Sequence, residues 1–153
     1  MNEDPLASIR PKIAKYCAYR ERATKEVLVK LESLGVNSAQ SDQIIDELKK
    51  EGFIDDRRFA RAYAGGKFRT KKWGKLKIKR ELKMRDIGEE DILSGLQEIE
   101  GQTYLEVLEQ LAKQKYMVVK NDNLYIRKNK VASFLVSKGY ESELVWAILN
   151  KIN

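Results

Sequence analysis

The feature that most constrains the fold of this chain is an apolar pattern that occurs three times. It comprises Val27, Leu31 and Val36, then Ile78, Leu82 and Ile87, and then Val131, Leu135 and Tyr140. The gaps are four and five residues in every copy, and the copies are offset by 51 and then 53 positions. A gap of four residues places two side chains on one face of an α-helix. Each copy therefore predicts a helix with one buried face.

Each copy lies in the middle of a longer helical unit. A polar or glycine break precedes the third apolar residue, as expected where a helix ends, and another apolar pair at i, i+4 follows it. These pairs are Ile44 with Leu48, Ile92 with Leu96, and Leu144 with Ile148. A further apolar helix comes before each copy, so the sequence predicts three-helix units at residues 10–53, 54–101 and 102–153. Units this short bury little surface alone, and we expect them to stack into an elongated array.

The remaining sequence features favour an all-α fold. The two prolines, Pro5 and Pro11, precede the first strongly periodic segment, and no stretch shows sustained β alternation. We expect connections at residues 52–56, 99–103 and 118–124, and another over the glycine-flanked residues 65–74. The aromatic residues of the predicted first helices are expected in the core, namely Tyr16, Tyr19, Phe59 and Tyr63.

The positive charge of the chain is concentrated in one segment. The whole sequence has 30 Lys and Arg against 23 Asp and Glu, a net charge of +7. Residues 57–85 alone carry +12, and all other residues together carry −5. This basic band predicts an oriented contact with an acidic partner or with phosphates. Its thirteen cations are Arg57, Arg58, Arg61, Lys67, Arg69, Lys71, Lys72, Lys75, Lys77, Lys79, Arg80, Lys83 and Arg85.

Several classes of chemistry are disfavoured by the composition. The sequence has no His, the usual general base near neutral pH and the commonest metal ligand, so we expect no His-based catalysis, no metal site and no cofactor. Cys17 is the single cysteine, which excludes an intramolecular disulfide, and its apolar helical position favours a core residue. Residues 1–5 are polar, and no apolar run approaches the roughly 20 residues that span a bilayer. We therefore expect a cytoplasmic protein without membrane contact.

The first junction between units carries a resemblance to a known family. The sequence reads Gly-Phe-Ile-Asp-Asp-Arg-Arg-Phe-Ala-Arg-Ala-Tyr over residues 52–63, then Lys-Trp-Gly at 72–74 and Ile-Lys-Arg-Glu-Leu at 78–82. This pattern resembles the central signature of the RecX regulatory family. Weaker matches at residues 19–27 and 138–140 extend the resemblance over nearly the whole chain. Arg85-Asp86-Ile87 stands where such proteins often have Lys-Gly-Ile, which leaves the geometry of that turn open.

The resemblance implies a function that composition and spacing do not show. Members of the RecX family resemble curved arrays of three-helix repeats that bind the RecA recombinase or its filament on DNA. They typically inhibit strand exchange, ATP hydrolysis and the induced co-protease activity. The resemblance thus implies a non-enzymatic regulator in DNA repair, recombination and the SOS response. We expect a monomer whose partner is the RecA filament, with single- or double-stranded DNA as a further candidate partner.

The basic band is the predicted partner-binding surface. In a helix over residues 75–86, Ile78 and Leu82 share one face and Arg80 lies on the opposite arc. Phe68 and Trp73 interleave with the cations, where an aromatic ring can stack on a base or join a cation–π contact. The candidate binding residues are Arg57, Arg58, Arg61, Lys67, Arg69, Lys71, Lys72, Trp73, Lys75, Lys77, Lys79, Arg80 and Lys83.

Other interpretations stay open at this point. One alternative is that the basic band is a solvated helix face and that Trp73 anchors a loop against the core. Another is that the charge of the band is offset by the acidic run from Glu89 to Glu109. A further alternative for the function is a stand-alone DNA-binding module that resembles a transcription factor, although a lysine-rich helix suits contacts with phosphates better than contacts with base edges. The last alternative is an enzyme using Asp55, Asp56 and a divalent ion, although paired acids at a helix start are more typical of caps.

Overall fold

The computed structural model describes residues 5–152, and within that range the chain forms α-helices and no strand. The predicted all-α class is confirmed. The first helix triplet is α1 (Ile9–Tyr19), α2 (Thr24–Ser33) and α3 (Ser38–Lys50). The second is α4 (Asp56–Lys71), α5 (Lys75–Met84) and α6 (Glu89–Leu96), and the third is α7 (Gly101–Val118), α8 (Leu124–Ser137) and α9 (Ser142–Leu149). Residues 1–4 of the polar N-terminus and residue 153 of the third predicted unit lie outside the described residues.

The repeated apolar pattern forms the centre of each triplet. All nine of its residues are buried, and both members of the i, i+4 pair in α2, α5 and α8 have 0% exposure. Full burial of a Val, Leu or Ile side chain contributes about 1.5–3 kcal/mol of transfer free energy. The pattern that predicted the helices therefore also holds each triplet together.

The same turn ends the middle helix of every triplet. The second residue after the helix has a positive φ, which is +82° at Gly35, +57° at Asp86 and +102° at Gly139. The next N–H then donates to a carbonyl five positions back, as from Ile87 N to Leu82 O at 3.2 Å. This is a Schellman turn, in which glycine usually supplies the left-handed residue. Asp86 adopts that conformation too, so the turn left open by the sequence keeps the common geometry.

The predicted connection over residues 65–74 is wrong for most of its length. Helix α4 continues through both glycines, and only residues 72–74 connect it to α5. Ala60, Ala64 and Phe68 are buried at helical spacing on either side of the glycines. Tertiary packing therefore outweighs the low helix propensity of the Gly-Gly pair.

Two predicted core assignments also need correction. In α9 the fully buried pair is Val145 and Leu149, while Leu144 and Ile148 are half-buried against the same core. The burial register of this helix is thus shifted by one residue. Tyr19 is 83% exposed, because α1 ends at this residue and its side chain lies outside the first core.

The hydrophobic packing divides the chain unequally. One core is shared by the second and third triplets and includes Ala23, whereas the other buried apolar residues of the first triplet form a separate core with Ile54. The accessible surface is 9656 Å². A compact monomer of 17.7 kDa would expose about 7,900 Å². The excess surface supports the predicted elongated array.

Candidate partner-binding surface

The N-terminal part of the basic band is neutralised by acids of the same chain. In the first turns of α4, Arg57 Nε lies 3.2 Å from Asp91 Oδ1, and Arg58 Nε lies 2.7 Å from Glu21 Oε1. Arg61 pairs with Glu98 in the same way. Asp91 and Glu98 belong to the acidic run after α5, so the proposed internal offset of charge does occur here. These three arginines join helices and triplets to one another.

The C-terminal end of the band is also paired. Lys83 Nζ lies 3.8 Å from Glu89 Oε1, and Arg85 Nη1 lies 3.1 Å from Glu81 Oε2. The Arg85 guanidinium also lies 4.8 Å from the centre of the Tyr63 ring. Arg85 therefore packs against α4, and its positive charge is balanced by Glu81 of the same triplet.

Eight cations in the middle of the band have no carboxylate at ion-pair distance within residues 5–152. We call them the unpaired cluster, and it consists of Lys67, Arg69, Lys71, Lys72, Lys75, Lys77, Lys79 and Arg80. These residues come from the last turns of α4, the connection to α5 and the first turns of α5. The cations of the basic band that have no such partner therefore lie around the α4–α5 connection, and the binding role of the band stays a prediction.

Trp73 organises this cluster from a half-buried position. Lys77 Nζ lies 4.5 Å and Lys67 Nζ 5.1 Å from the centre of its ring, and the Tyr63 ring meets it edge-on at 6.4 Å. The ring thus fixes two lysines through cation–π contacts, as well as packing against the core. Phe68, expected among the exposed cations, is buried against Tyr104 instead, with ring centres 5.8 Å apart, and is not available to a partner.

The connection that carries the cluster is held by the third triplet. Gly74 N donates to Lys138 O at 2.8 Å, and Leu76 N donates to Gly139 O at 2.9 Å. A Cβ at Gly74 would fall within 3.0 Å of backbone atoms of Gly139 and Tyr140. The two backbones therefore approach as closely as they do because both positions are glycine.

Two tyrosine hydroxyls of the third triplet also bond to the α4–α5 connection, and together with the backbone hydrogen bonds they form the joint between the two triplets. Tyr140 donates to Lys72 O at 2.8 Å, and Tyr104 accepts from Lys75 N at 3.0 Å while donating to Glu141. Burial raises the pKa of Tyr104, and its hydrogen bond to Glu141 raises that pKa further. Both ends of the α4–α5 connection are thus tied to the third triplet.

Lys138 of the third triplet lies close to cations of the unpaired cluster. Its pKa is lowered first by burial and then by the positive charges of Lys77 and Lys72. Its Nζ donates to Lys71 O at 3.1 Å, which places a further cation beside the connection. The sequence predicted a turn at residues 138–140, with Tyr140 in the apolar pattern and a weak match to the RecX family, but no contact with the basic band. Gly74 and Gly139 lie 65 positions apart, and nothing in the sequence indicated that the two would touch.

Asp55 and Asp56 have structural roles. Asp55 Oδ1 accepts from Arg58 N at 3.0 Å as the N-cap of α4. Asp56 Oδ1 accepts from both the N–H and the hydroxyl of Thr24 at 2.9 Å, which joins the first triplet to the second. Within residues 5–152 no group of three or more Cys, Asp or Glu side chains is placed to hold a metal ion. Cys17 is buried, and burial raises the pKa of its thiol.

Comparison with known proteins assigns the family. Models of the second and third three-helix domains of RecX match residues 55–96 and 102–149. Regulatory protein RecX of Chlorobium phaeobacteroides is 32% identical over 133 residues, covering 87% of this chain and 85% of the relative. The chain belongs to the RecX family. Regulatory protein RecX of Clostridium tetani is likewise 32% identical over 152 residues, covering 98% of this chain and 69% of the relative.

Solved RecX structures share the fold. The crystal structure of RecX from Lactobacillus salivarius has a TM-score of 0.87 at 23% identity and covers 96% of both chains. A second crystal structure of regulatory protein RecX has a TM-score of 0.86 at 24% identity, covering 95% of this chain and 71% of the other. In the part of this chain that the structure describes, no helix is long and apolar enough to cross a membrane.

The residues that carry the RecX resemblance are mainly structural. Asp55 caps α4, Asp56 joins the first two triplets, and Phe59 and Ala60 are buried in the core. Ala60 also lies against α6, where a Cβ at Gly95 would come within 2.7 Å of its carbonyl oxygen. These four residues of the signature therefore stabilise the scaffold.

Proposed function

We propose that this RecX family member is a non-enzymatic regulator that binds the RecA recombinase, or its filament on DNA, and modulates its activities. The expected direction is inhibition of strand exchange, ATP hydrolysis and co-protease activity. The partner, and the role in DNA repair, recombination and the SOS response in the cytoplasm, come from the family resemblance. The relatives are named regulatory proteins, which supports a non-enzymatic role.

The unpaired cluster is the observation that carries the proposal. Eight cations without carboxylate partners in the described chain surround a connection that is hydrogen-bonded to a neighbouring triplet. Positive charges this close together repel one another, and acidic groups of an approaching partner would lower that repulsion energy. Because the connection is fixed before binding, little conformational entropy has to be lost when the partner docks.

The position of the cluster supports a bridging role. It lies where the second and third triplets join, so both triplets are placed to contact a long partner on either side of it. A RecA filament presents repeated subunits and bound DNA along one axis. A ligand that contacts neighbouring subunits together would resist the rearrangements that accompany ATP turnover.

A second candidate function is direct binding of DNA by the same cluster. Six of its eight members are lysines, which contact phosphates as point charges more readily than they read base edges. Such binding would be independent of sequence and strongly dependent on salt. Footprinting on random duplexes should accordingly show no sequence preference.

The proposal is tested by the ATPase activity of the cognate RecA on single-stranded DNA. Increasing amounts of this protein should change the rate of hydrolysis, with a decrease as the expected result. An unchanged rate at saturating protein would contradict the proposed function. Bare single-stranded DNA should be titrated in parallel, because sequestration of the DNA would also lower the rate.

A further inference from the structure

The end of α7 and the start of α8 expose apolar side chains that are not part of the unpaired cluster. Five of the twelve large apolar side chains exposed within residues 5–152 lie here, within ten residues of sequence. Their exposed fractions range from 42% to 75%. Concentrations of exposed apolar surface of this kind mark interaction sites. We call this the hairpin patch, and it consists of Met117, Val118, Leu124, Tyr125 and Ile126.

Arg127 fixes the backbone next to the hairpin patch, and we call this arrangement the arginine clamp. Arg127 Nε donates to Tyr116 O at 3.0 Å and to Val119 O at 2.8 Å, and its guanidinium lies 3.7 Å from the centre of the Tyr116 ring. Asn123 Oδ1 accepts from Ile126 N at 3.1 Å as the N-cap of α8. The end of α7 and the start of α8 are therefore both satisfied, and the patch is presented on a fixed backbone.

The first triplet contains the same clamp, and there the adjoining surface is covered. Arg22 Nε donates to Tyr16 O at 3.1 Å, with the guanidinium 3.7 Å from the centre of that ring. The next two residues then contact the second triplet, since Ala23 enters its core and Thr24 bonds to Asp56. The start of the middle helix is thus the end through which one triplet meets its successor.

The second triplet uses the same helix end. The start of α5, at Gly74 and Leu76, meets the third triplet through backbone hydrogen bonds. In the third triplet, no hydrogen bond or ion pair within residues 5–152 joins the start of α8 to another triplet, and this helix end bears the exposed Leu124 and Tyr125. The hairpin patch therefore lies at the same helix end that joins the other triplets, and residues 5–152 do not cover it.

The charges around the hairpin patch define what would cover it. Lys120, Lys128 and Lys130 flank the patch, against Asp122 as the one acid of residues 117–130, and none of the three lysines has a carboxylate at ion-pair distance in the described chain. At the first joint, the successor triplet supplies carboxylates to this helix end, with Asp56 bonded to Thr24 and Asp86 lying 3.6 Å from Lys25. An apolar surface with an acidic rim is complementary to the patch in both respects.

We propose that the hairpin patch docks into an apolar groove with an acidic rim on a protein partner, as a second contact separate from the unpaired cluster. Four of its five side chains are aliphatic and have no aromatic face on which a base could stack, which favours protein over nucleic acid. The inference rests on the proposed function in one respect, namely that the protein carrying the groove is RecA in its filament. The hairpin patch supplies the apolar contact and the unpaired cluster the electrostatic one.

The double variant L124S/Y125S tests this inference in the full chain. Its matched control is Y19S/L93S, which removes one Tyr and one Leu that are 83% and 59% exposed elsewhere on the surface. Circular dichroism melting should show that both variants remain folded. Binding is then measured by fluorescence anisotropy to RecA filaments on single-stranded DNA and to the bare oligonucleotide. We expect L124S/Y125S to bind filaments about tenfold or more weakly, with the control and all bare-DNA affinities unchanged.

Other outcomes would overturn the inference in distinguishable ways. Equal filament binding by L124S/Y125S and wild type would refute the hairpin patch and leave the proposed function standing. A parallel loss of affinity for bare DNA would assign the patch to nucleic acid. Wild-type self-association in sedimentation, lost in L124S/Y125S, would assign it to a second copy of the chain. Absence of filament binding by the wild type would refute the proposed function and this inference together.

Discussion

Replacing Gly74 by Ala should open the joint that fixes the unpaired cluster. Gly74 has φ −76° and ψ 164°, which Ala adopts without backbone strain, so any cost comes from contact alone. The added Cβ would lie within 3.0 Å of three backbone atoms of residues 139 and 140. Carbon atoms pack best at roughly 3.5–4.0 Å, so the two backbones would have to move apart. No flexible side chain is available to absorb that movement.

The expected cost follows from the hydrogen bonds that hold this joint. Separation would lengthen the bonds from Gly74 N to Lys138 O, from Leu76 N to Gly139 O and from Tyr140 Oη to Lys72 O. At about 1 kcal/mol each, their loss would lower the free energy of unfolding by about 3 kcal/mol. Equilibrium denaturation in urea measures the total change, and hydrogen exchange at the Leu76 amide measures the local opening.

The matched control is Gly66→Ala, in the same triplet. Gly66 lies within α4, and a Cβ there would meet no atom within 4 Å. Ala should therefore stabilise the helix by about 0.5–1 kcal/mol. The reasoning would be refuted if G74A unfolded with a free energy equal to that of the wild type, or if both variants lost the same amount.

Three further predictions concern other parts of the structure. Substitution R57A/R61A removes cations already paired with Asp91 and Glu98, so the proposed inhibition of RecA should persist. A loss of inhibition in the ATPase assay would contradict the division of the basic band into paired cations and the unpaired cluster. D86G should raise the free energy of unfolding by about 0.5–1 kcal/mol in urea denaturation, since glycine adopts the left-handed conformation without steric cost and the exposed ion pair with Lys25 that is lost contributes little; a clear decrease would be inconsistent with the φ of +57°. Y104F leaves Lys75 N without its acceptor and should lower the unfolding free energy by about 1–3 kcal/mol; an unchanged value would argue against that bond.

The core of this RecX family member could be predicted because its signal is local. The spacing of Val27 and Leu31, repeated in the other triplets, depends only on helix geometry, and these residues are buried as expected. The turns at Gly35 and Gly139 could be predicted from the same pattern, whereas the geometry of the turn at Asp86 was left open and is established only by its φ of +57°. The register of α9 could not, because Leu144, Val145, Ile148 and Leu149 are all apolar and their order does not reveal which pair faces inward.

The surface could be predicted only as a region. Sequence identified the basic band, but the pairing of Arg57 with Asp91, and of Arg61 with Glu98, depends on the packing of α4 against α6. Local propensity also misplaced a connection at the Gly-Gly pair of α4, where tertiary packing decides the conformation. The contact of Gly74 with Gly139 joins residues far apart in sequence, so no local pattern reveals it.

The most direct test of the central claim is charge reversal within the unpaired cluster. K79E/R80E changes two cations of α5 that have no carboxylate partner in the described chain, and K12E/K15E makes the same change in charge at exposed positions of α1. Inhibition of the DNA-stimulated ATPase of RecA is measured for both, with binding to bare single-stranded DNA measured in parallel. We predict that K79E/R80E loses inhibition and K12E/K15E retains it. Equal inhibition by the two variants would contradict the assignment of partner binding to this cluster.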